Sequence, residues 1–313
     1  AGTSIEKIEE ELKKNRQELA FEPIDFGYLF LGKSNYGTAG GQVACNITGP
    51  RRFKSGSIRD HILGFRAVNG RGEIIKSGGT VVKNVTGYDL SKLICGSYGT
   101  LAALTEITFK VLPLAEESKT LVIHGLTIDS APNYLDKAIS SSYEVSGASF
   151  LPTNPICKNC EMNIENTFKL NDLEYKGSLT AIRVEGSKKS INERIENLKK
   201  DLKTVDYKVS ILETLQSEIF WRKIKNLEFF SKTKNNIFRI SIPPSECGKL
   251  IYELPSMFKY FLDWGGALIW MEGCELSEKK FESIRNKVVK HNGYISMIKN
   301  SNRLPFVEDV FTI

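Results

Sequence analysis

Apolar residues recur along this chain at two spacings, and those spacings sort it into elements. Ile5, Ile8 and Leu12 fall at i, i+3 and i+7, which predicts a helix over residues 3–19. Thr3 and Glu6 stand at capping-box spacing at its start, and Glu9–Lys13 and Glu10–Lys14 are supporting pairs. Pro23 ends the helical stretch, and residues 21–33 read as loop with a short strand. Ile62–Asn69 alternates in part and predicts a strand. Asn69-Gly70-Arg71-Gly72 then reads as a turn and residues 73–76 as the returning strand of a hairpin. A short helix is expected over 88–94. A strand is expected over 101–112, with Ile107, Phe109 and Val111 on one face and Pro113 as its stop.

Beyond Pro113 the spacings lengthen and glycine clusters thin out. Strands are expected at 120–124, around Thr180, Ile182 and Val184, and around Phe238, Ile240 and Ile242 up to Pro243-Pro244. Two more are expected at 267–271 and 294–298. Helices are expected at 131–142, along the stripe Ile191, Ile195, Leu198 and Leu202, at 215–227, and at 277–291 with Phe281, Ile284 and Val288 inward. This alternation predicts an α+β domain of helices packed on a mainly antiparallel sheet. The boundary falls near 113–119, dividing the chain into domains 1–115 and 116–313.

The first domain is marked instead by glycine between Gly37 and Pro113. Glycine permits positive φ and a close approach of backbone to whatever lies beside it. The Gly40-Gly41 pair precedes a short helix expected over 42–47. It is either a tight turn between buried elements or a helix start whose free N–H groups favour an anion. Arg51, Arg52, Lys54 and Arg59 flank Gly49 and Gly56. They fit either neutralisation of a pyrophosphate or ordinary surface charge, and spacing alone leaves both open.

Composition narrows the classes. With 313 residues, 41% hydrophobic and 26% charged, the chain suits about two soluble domains. The net charge of +6 comes from scattered lysines on helical faces, which argues against nucleic acid as a partner. No run approaches the ~18 apolar residues of a membrane span, and no signal-peptide pattern is present. Six cysteines spread over the whole length suit a reducing cytoplasm. Cys157-x-x-Cys160, without a second pair or a nearby histidine, does not make a metal site. The three histidines, His61, His124 and His291, stand at no metal spacing. No nucleophile elbow, HExxH, phosphate loop or dinucleotide fingerprint occurs.

Two longer runs carry a resemblance. TAGGQVACNITGP, followed by Gly56 and Arg59-Asp60, resembles the second flavin-contacting segment of FAD proteins typified by vanillyl-alcohol oxidase. GGTVVKNVTGYDLSKLICGSYGTLAALTEITFKVLP is narrower. It resembles the FAD-binding subunits of bacterial glycolate oxidase complexes, where KNVxGYD precedes a GSxGTL strand. Phe220-Trp221-Arg222, the run from Phe238 to Pro244, and Asp263-Trp264-Gly265-Gly266-Ala267 are similar to the second domain of those subunits.

The resemblance implies the C-terminal part of a two-subdomain FAD-binding fold, then an α+β substrate or cap domain with an incomplete C-terminus. Thr38, Gly40 and Gly41 match the loop that meets the flavin, with Pro23 and Asp25 in the loop before it. Cys45, Asn46, Thr48 and Gly49 match the segment just after, Gly56 the next glycine, and Arg59 and Asp60 the family-like pair that follows. Gly99, Thr100 and Leu104 match the late strand that approaches the cofactor, although Ala102 replaces a glycine common in relatives. The implied pyrophosphate loop lies upstream of Ala1, so the chain is expected to be a fragment with weakened FAD affinity. The implied cofactor is FAD and the implied reaction is oxidation of glycolate or another small 2-hydroxy acid. The implied partners are a second flavoprotein subunit and an iron–sulfur subunit. The implied place is the cytoplasm, with membrane association only through partners. No catalytic residue is matched, which leaves a non-catalytic flavin-binding assembly subunit, or a different flavin oxidoreductase on the same fold, as alternatives.

Overall fold

The computed structural model describes residues 1–82, 87–153, 177–231, 233–255, 258–273 and 276–301. Cys157, Cys160 and the Lys83-Asn84-Val85 part of the KNV run lie outside the described residues. The chain divides into two units. One is Ala1–Ala115 with Lys223–Lys232, and the other is Glu116–Arg222 with Thr233–Ile313.

The N-terminal unit is built from short pieces. α1 (Ile5–Lys14) is capped by Ser4, whose side chain accepts from the Lys7 N–H; the cap is therefore Ser4 and not the expected Thr3. α1 also stops earlier than its pattern suggests. Asn15 and Arg16, the latter at φ 52°, turn the chain so that β1 (Gln17–Glu18) can pair with β5 (Leu112–Pro113). The expected loop over 21–33 contains a short helix, α2 (Gly27–Leu31). Then come α3 (Ala39–Cys45), α4 (Arg52–Ser55) and α5 (Ile58–His61). α3 begins three residues before the expected start.

The expected hairpin is β2 (Ile62–Asn69) with β3 (Ile74–Gly78). After α6 (Leu90–Ile94), β4 (Ala102–Phe109) adds to the other edge of β2 to give a three-stranded antiparallel sheet. β4 ends at Phe109 rather than running on to residue 112, because the Lys110 N–H turns to the His61 carbonyl. Pro113 belongs to β5 instead of stopping a long strand. Ile5, Phe21, Val43, Ile58, Phe65 and Ile94 form the core between this sheet and the helices. Leu104, Ile107, Phe109 and Val111 pack against it.

The C-terminal unit is one eight-stranded antiparallel sheet. In chain order it contains β6 (Glu117–His124), α7 (Ala131–Ile139), β7 (Val145–Leu151), β8 (Leu179–Gly186), α8 (Lys188–Asp201), β9 (Val209–Leu212) and α9 (Thr214–Lys225) up to Arg222. β10 (Asn236–Ser241), α10 (Pro244–Glu253), β11 (Lys259–Asp263), β12 (Leu268–Gly273), α11 (Glu278–Lys290) and β13 (Tyr294–Lys299) follow. The strands lie in the order β13-β10-β12-β11-β7-β8-β6-β9. Phe238 pairs with Met271 and Ile240 with Ile269, and this apolar face receives helix residues such as Phe281, stacked on Phe238 at 5.9 Å. Ile191, Ile195 and Leu198 of α8 and Phe281, Ile284 and Val288 of α11 are buried, as their spacing predicts. On the opposite face Gly147 leaves room for Trp221, because a Cβ there would sit 2.8 Å from its ring. β10 ends before Pro243-Pro244 as expected, and the same prolines start α10, with proline at its first turn, where a missing N–H costs nothing. β7, β9 and β11 are strands that the apolar spacing did not reveal.

Candidate functional site

α3 organises the glycine-rich stretch. Its first N–H groups are not free. Ala39 donates to the Thr3 carbonyl (2.9 Å), Gly40 to the Ala1 carbonyl (2.8 Å), and Gly41 to Thr38 Oγ1 (3.2 Å). Of the two readings of the Gly40-Gly41 pair, tight packing fits and an anion site at the helix start does not, because chain contacts already use those donors. A Cβ on Gly40 would lie 3.0 Å from that of Ala1, so this glycine serves close packing of backbone on backbone.

The other end of α3 is finished just as fully. Asn46 closes the helix in the left-handed region (φ 49°, ψ 38°), where its short polar side chain is tolerated. Its Oδ1 accepts the Arg59 N–H at 3.3 Å. The Val43 and Ala44 carbonyls accept from the Gly96 and Tyr98 N–H groups at 2.9 and 2.8 Å. This fixes the turn that presents Gly99 (φ 74°) and Thr100, both exposed, beside the end of α3. Thr100 Oγ1 donates to the Ser97 carbonyl within that turn.

The remaining expected residues are placed by chain packing. Thr48 is buried and bridges to Pro23, and its Oγ1 has no hydrogen-bond partner. Gly49 lies against residue 22; an added Cβ would be 2.6 Å from the Glu22 carbonyl. Gly56 (φ 83°) leaves space for Asp60, whose Oδ2 accepts from the Ser57 N–H at 2.7 Å and the Ser57 hydroxyl at 2.9 Å. Partial burial pushes the Asp60 carboxyl up, but those two donors and the charges of Arg52 and His61 outweigh it and hold it below the usual range. Arg51 turns inward to Glu18 (2.8 Å) and Glu22 (3.8 Å), so this member of the basic cluster is structural. His61 is buried against Phe21 and its Nε2 donates to the Ser55 carbonyl.

On the flank of α3 the structure opens a pocket of about 280 Å³. Thr38, Gly41 and Cys45 of the expected set line it, together with Ile24, Phe26, Phe30, Leu31, Tyr36, Gln42 and Ile47. Phe26 and Phe30 meet edge to face at 6.3 Å, and Phe30, Leu31 and Tyr36 are each about half exposed at its rim. Asp25 also lines the pocket, but both its oxygens are engaged, Oδ1 with the Gly27 N–H and Oδ2 with the Asn35 N–H. Burial raises the Cys45 thiol pKa, which keeps it protonated and unreactive.

One polar group in the wall stands out. Gln42 is 9% exposed, its Nε2 donates to the Ile24 carbonyl, and its Oε1 is buried without a partner. A mostly apolar hollow with an aromatic rim is suited to a flat apolar ligand. The sequence reading missed Gln42 and the aromatic wall. The available signal was Phe26 and Phe30 at i, i+4 in a stretch read as loop.

Comparison with known proteins agrees with this geometry. A family model described as an FAD binding domain matches residues 1–78. Over 287 residues the chain is 34% identical to the glycolate oxidase subunit GlcE of Escherichia coli, covering 91% of this chain and 67% of that one. It is 38% identical over 114 residues to the glycolate oxidase subunit GlcD of Bacillus subtilis, covering 36% and 24% of the two chains. A D-lactate dehydrogenase of Archaeoglobus fulgidus is 40% identical over 96 residues, 31% of this chain and 22% of that one. Among solved structures, an alkyldihydroxyacetonephosphate synthase superposes with a TM-score of 0.64 at 16% identity, over 92% of this chain and 58% of that one. That likeness supports the fold alone.

Proposed function

Because the chain belongs to the family of FAD-binding glycolate oxidase subunits that includes Escherichia coli GlcE, we propose that it binds FAD within a complex oxidising glycolate, or a close 2-hydroxy acid, to the 2-oxo acid. The observation that carries this reading is the reach of the similarity, which runs through both units rather than stopping at the cofactor-binding one. Residues 1–115 then belong to an FAD-binding domain, and 116–313 form a substrate or cap domain. What FAD supplies when bound is hydride acceptance from the substrate carbon.

The residues of this chain bind and orient. The apolar, aromatic-rimmed pocket fits a flat ring such as a flavin. Thr38, Gly41 and Cys45 form the wall that meets it, and Arg59, Gly99 and Thr100 offer exposed groups beside the end of α3. Gly40, Asn46, Thr48, Gly49, Gly56, Asp60 and Leu104 keep the surrounding chain in place. A second flavoprotein subunit and an iron–sulfur subunit complete the complex and carry electrons onward; the naming of GlcE and GlcD relatives as subunits supports the first of these. Among the described residues no helix is long and apolar enough to cross a membrane. We place the chain in the cytoplasm, with any membrane attachment made through its partners.

One observation favours a second reading, a flavin-binding assembly subunit without turnover of its own. Asp25, a carboxylate in the pocket wall, is held in place by two backbone donors, the Gly27 and Asn35 N–H groups, which suits a structural role. The deciding experiment loads the protein with FAD and adds glycolate, first alone and then with the partner subunits. Bleaching of the visible flavin absorbance without partners rules out the assembly-only role. Bleaching only with partners supports it, and no bleaching under either condition rejects glycolate as substrate.

A further inference from the structure

We propose that His291 is a charged bridge clasping α10 to α11, so that pH sets the grip between these two helices. His291 closes α11 as its C-cap and is 6% exposed. Its ring spans two carboxylates of α10, with Nδ1 2.8 Å from Glu246 Oε2 and Nε2 3.2 Å from Glu253 Oε1. A neutral imidazole has one N–H and one lone pair, so it serves one of these anions and turns its lone pair on the other. Serving both takes a proton on each nitrogen, and the ring is then an imidazolium.

The surroundings favour that form. Hydrogen bonds from Lys249 and then His291 hold the Glu246 carboxyl below its ordinary value, and those from Lys290 and then His291 do the same for Glu253. Both are therefore anions at neutral pH. Lys249 Nζ stands 2.7 Å from Glu246 and Lys290 Nζ 2.6 Å from Glu253, while Lys287 donates to the Glu253 carbonyl. The neighbouring end of β10 brings Ser241, which is uncharged. As the C-cap, His291 also sits at the negative pole of the α11 dipole, which favours a cation. The protonated ring holds both carboxylates and the neutral ring only one, so the folded clasp takes up a proton that unfolding releases. Its contribution is largest on the acid side of neutrality, while the carboxylates stay ionised, and fades as pH rises.

What the clasp steadies is the underside of a strained turn. α10 places Cys247 and Pro244 against Gly266, where an added Cβ would lie 3.1 Å from Cys247 Sγ. Trp264, Gly265 and Gly266 all take positive φ (53°, 68° and 99°), and the Arg239 guanidinium lies over the Trp264 ring at 5.1 Å. A looser α10 thus bears on the run from Asp263 to Ala267, one of those that resemble the second domain of glycolate oxidase subunits.

The test is a long-range nitrogen–proton correlation spectrum of the histidine rings in the full chain near pH 7, assigned through His124→Gln and His291→Gln. His124 is the internal contrast. Burial and then the charge of Lys208 hold it below its ordinary value, so it should show one protonated and one bare nitrogen. His291 is expected to show both nitrogens protonated. In urea, the ratio of the unfolding constant of His291→Gln to that of the unaltered protein is expected to fall about tenfold between about pH 6 and about pH 8.5. Should His291→Gln fail to fold, ring signals assigned through the backbone of the unaltered protein decide alone. A neutral pattern for His291 overturns the proposal, as does a ratio that changes by less than about twofold over that range.

Discussion

The two units hold together by opposite means. In the C-terminal unit, large side chains fill the space between a sheet and its helices, as Phe238 does against Phe281. In the N-terminal unit, backbone lies on backbone. Gly49 sits on residue 22, Gly40 on Ala1, and Gly78 (φ 70°) on the Leu63 carbonyl. The difference teaches which way each unit is vulnerable. One is harmed by losing atoms and the other by gaining them, although both bury an apolar core.

Mutations can break that contrast. Phe238→Ala should cost most, about 3–5 kcal/mol, since it empties a fully buried site. A shift of the urea midpoint corresponding to less than 1 kcal/mol would mean the C-terminal core is not packed as described. Gly49→Ala adds a single methyl, yet should cost about 1–3 kcal/mol by forcing apart residues 22 and 49. A neutral result, read from the same denaturation curve, would remove the backbone-contact account of that unit.

Asp60→Asn gives a smaller and pH-dependent effect. The carboxyl is held low in the folded protein, so its stabilisation is present above the ordinary value near pH 4 and fades as pH falls through the folded value. The variant should therefore show a shallower loss of stability on acidification, and stability at neutral pH within about 1 kcal/mol, because the group is largely solvent-exposed. Parallel acid limbs for the two proteins would deny Asp60 its role in capping α5. Smallest of all, Gly70→Ala meets nothing within 4 Å and should be neutral or raise stability by up to about 1 kcal/mol. Thermal melting separates it from Gly49→Ala, the same change at a crowded glycine.

The same contrast explains what the sequence made legible. β10 and α11 announce themselves because Phe238 and Ile240, or Phe281, Ile284 and Val288, repeat at the period of their element. β7 does not, since every one of its residues from Val145 to Leu151 is buried and no alternation survives. Glycines carry no such record. Gly40 and Gly70 look alike in the chain, and only the fold shows that one bears on Ala1 and the other on solvent. The FAD-binding match covers residues 1–78 and so includes α3, but it does not reveal the pocket on the helix flank. Gln42 is a single amide among small residues, and only the fold shows that its Nε2 meets a carbonyl eighteen residues upstream while its Oε1 is buried without a partner.

A last consequence concerns separability. The ten residues Lys223–Lys232 belong to the N-terminal unit although they follow most of the C-terminal one. Asn226 Oδ1 takes the Asp25 N–H at 3.1 Å, and Lys225 stands 3.8 Å from Glu9. A cut after Ala115 would strand those partners on the wrong piece. The chain is thus interlaced: two folded bodies by architecture, but a single heritable part, which recombination cannot split at the boundary without leaving one half unfinished.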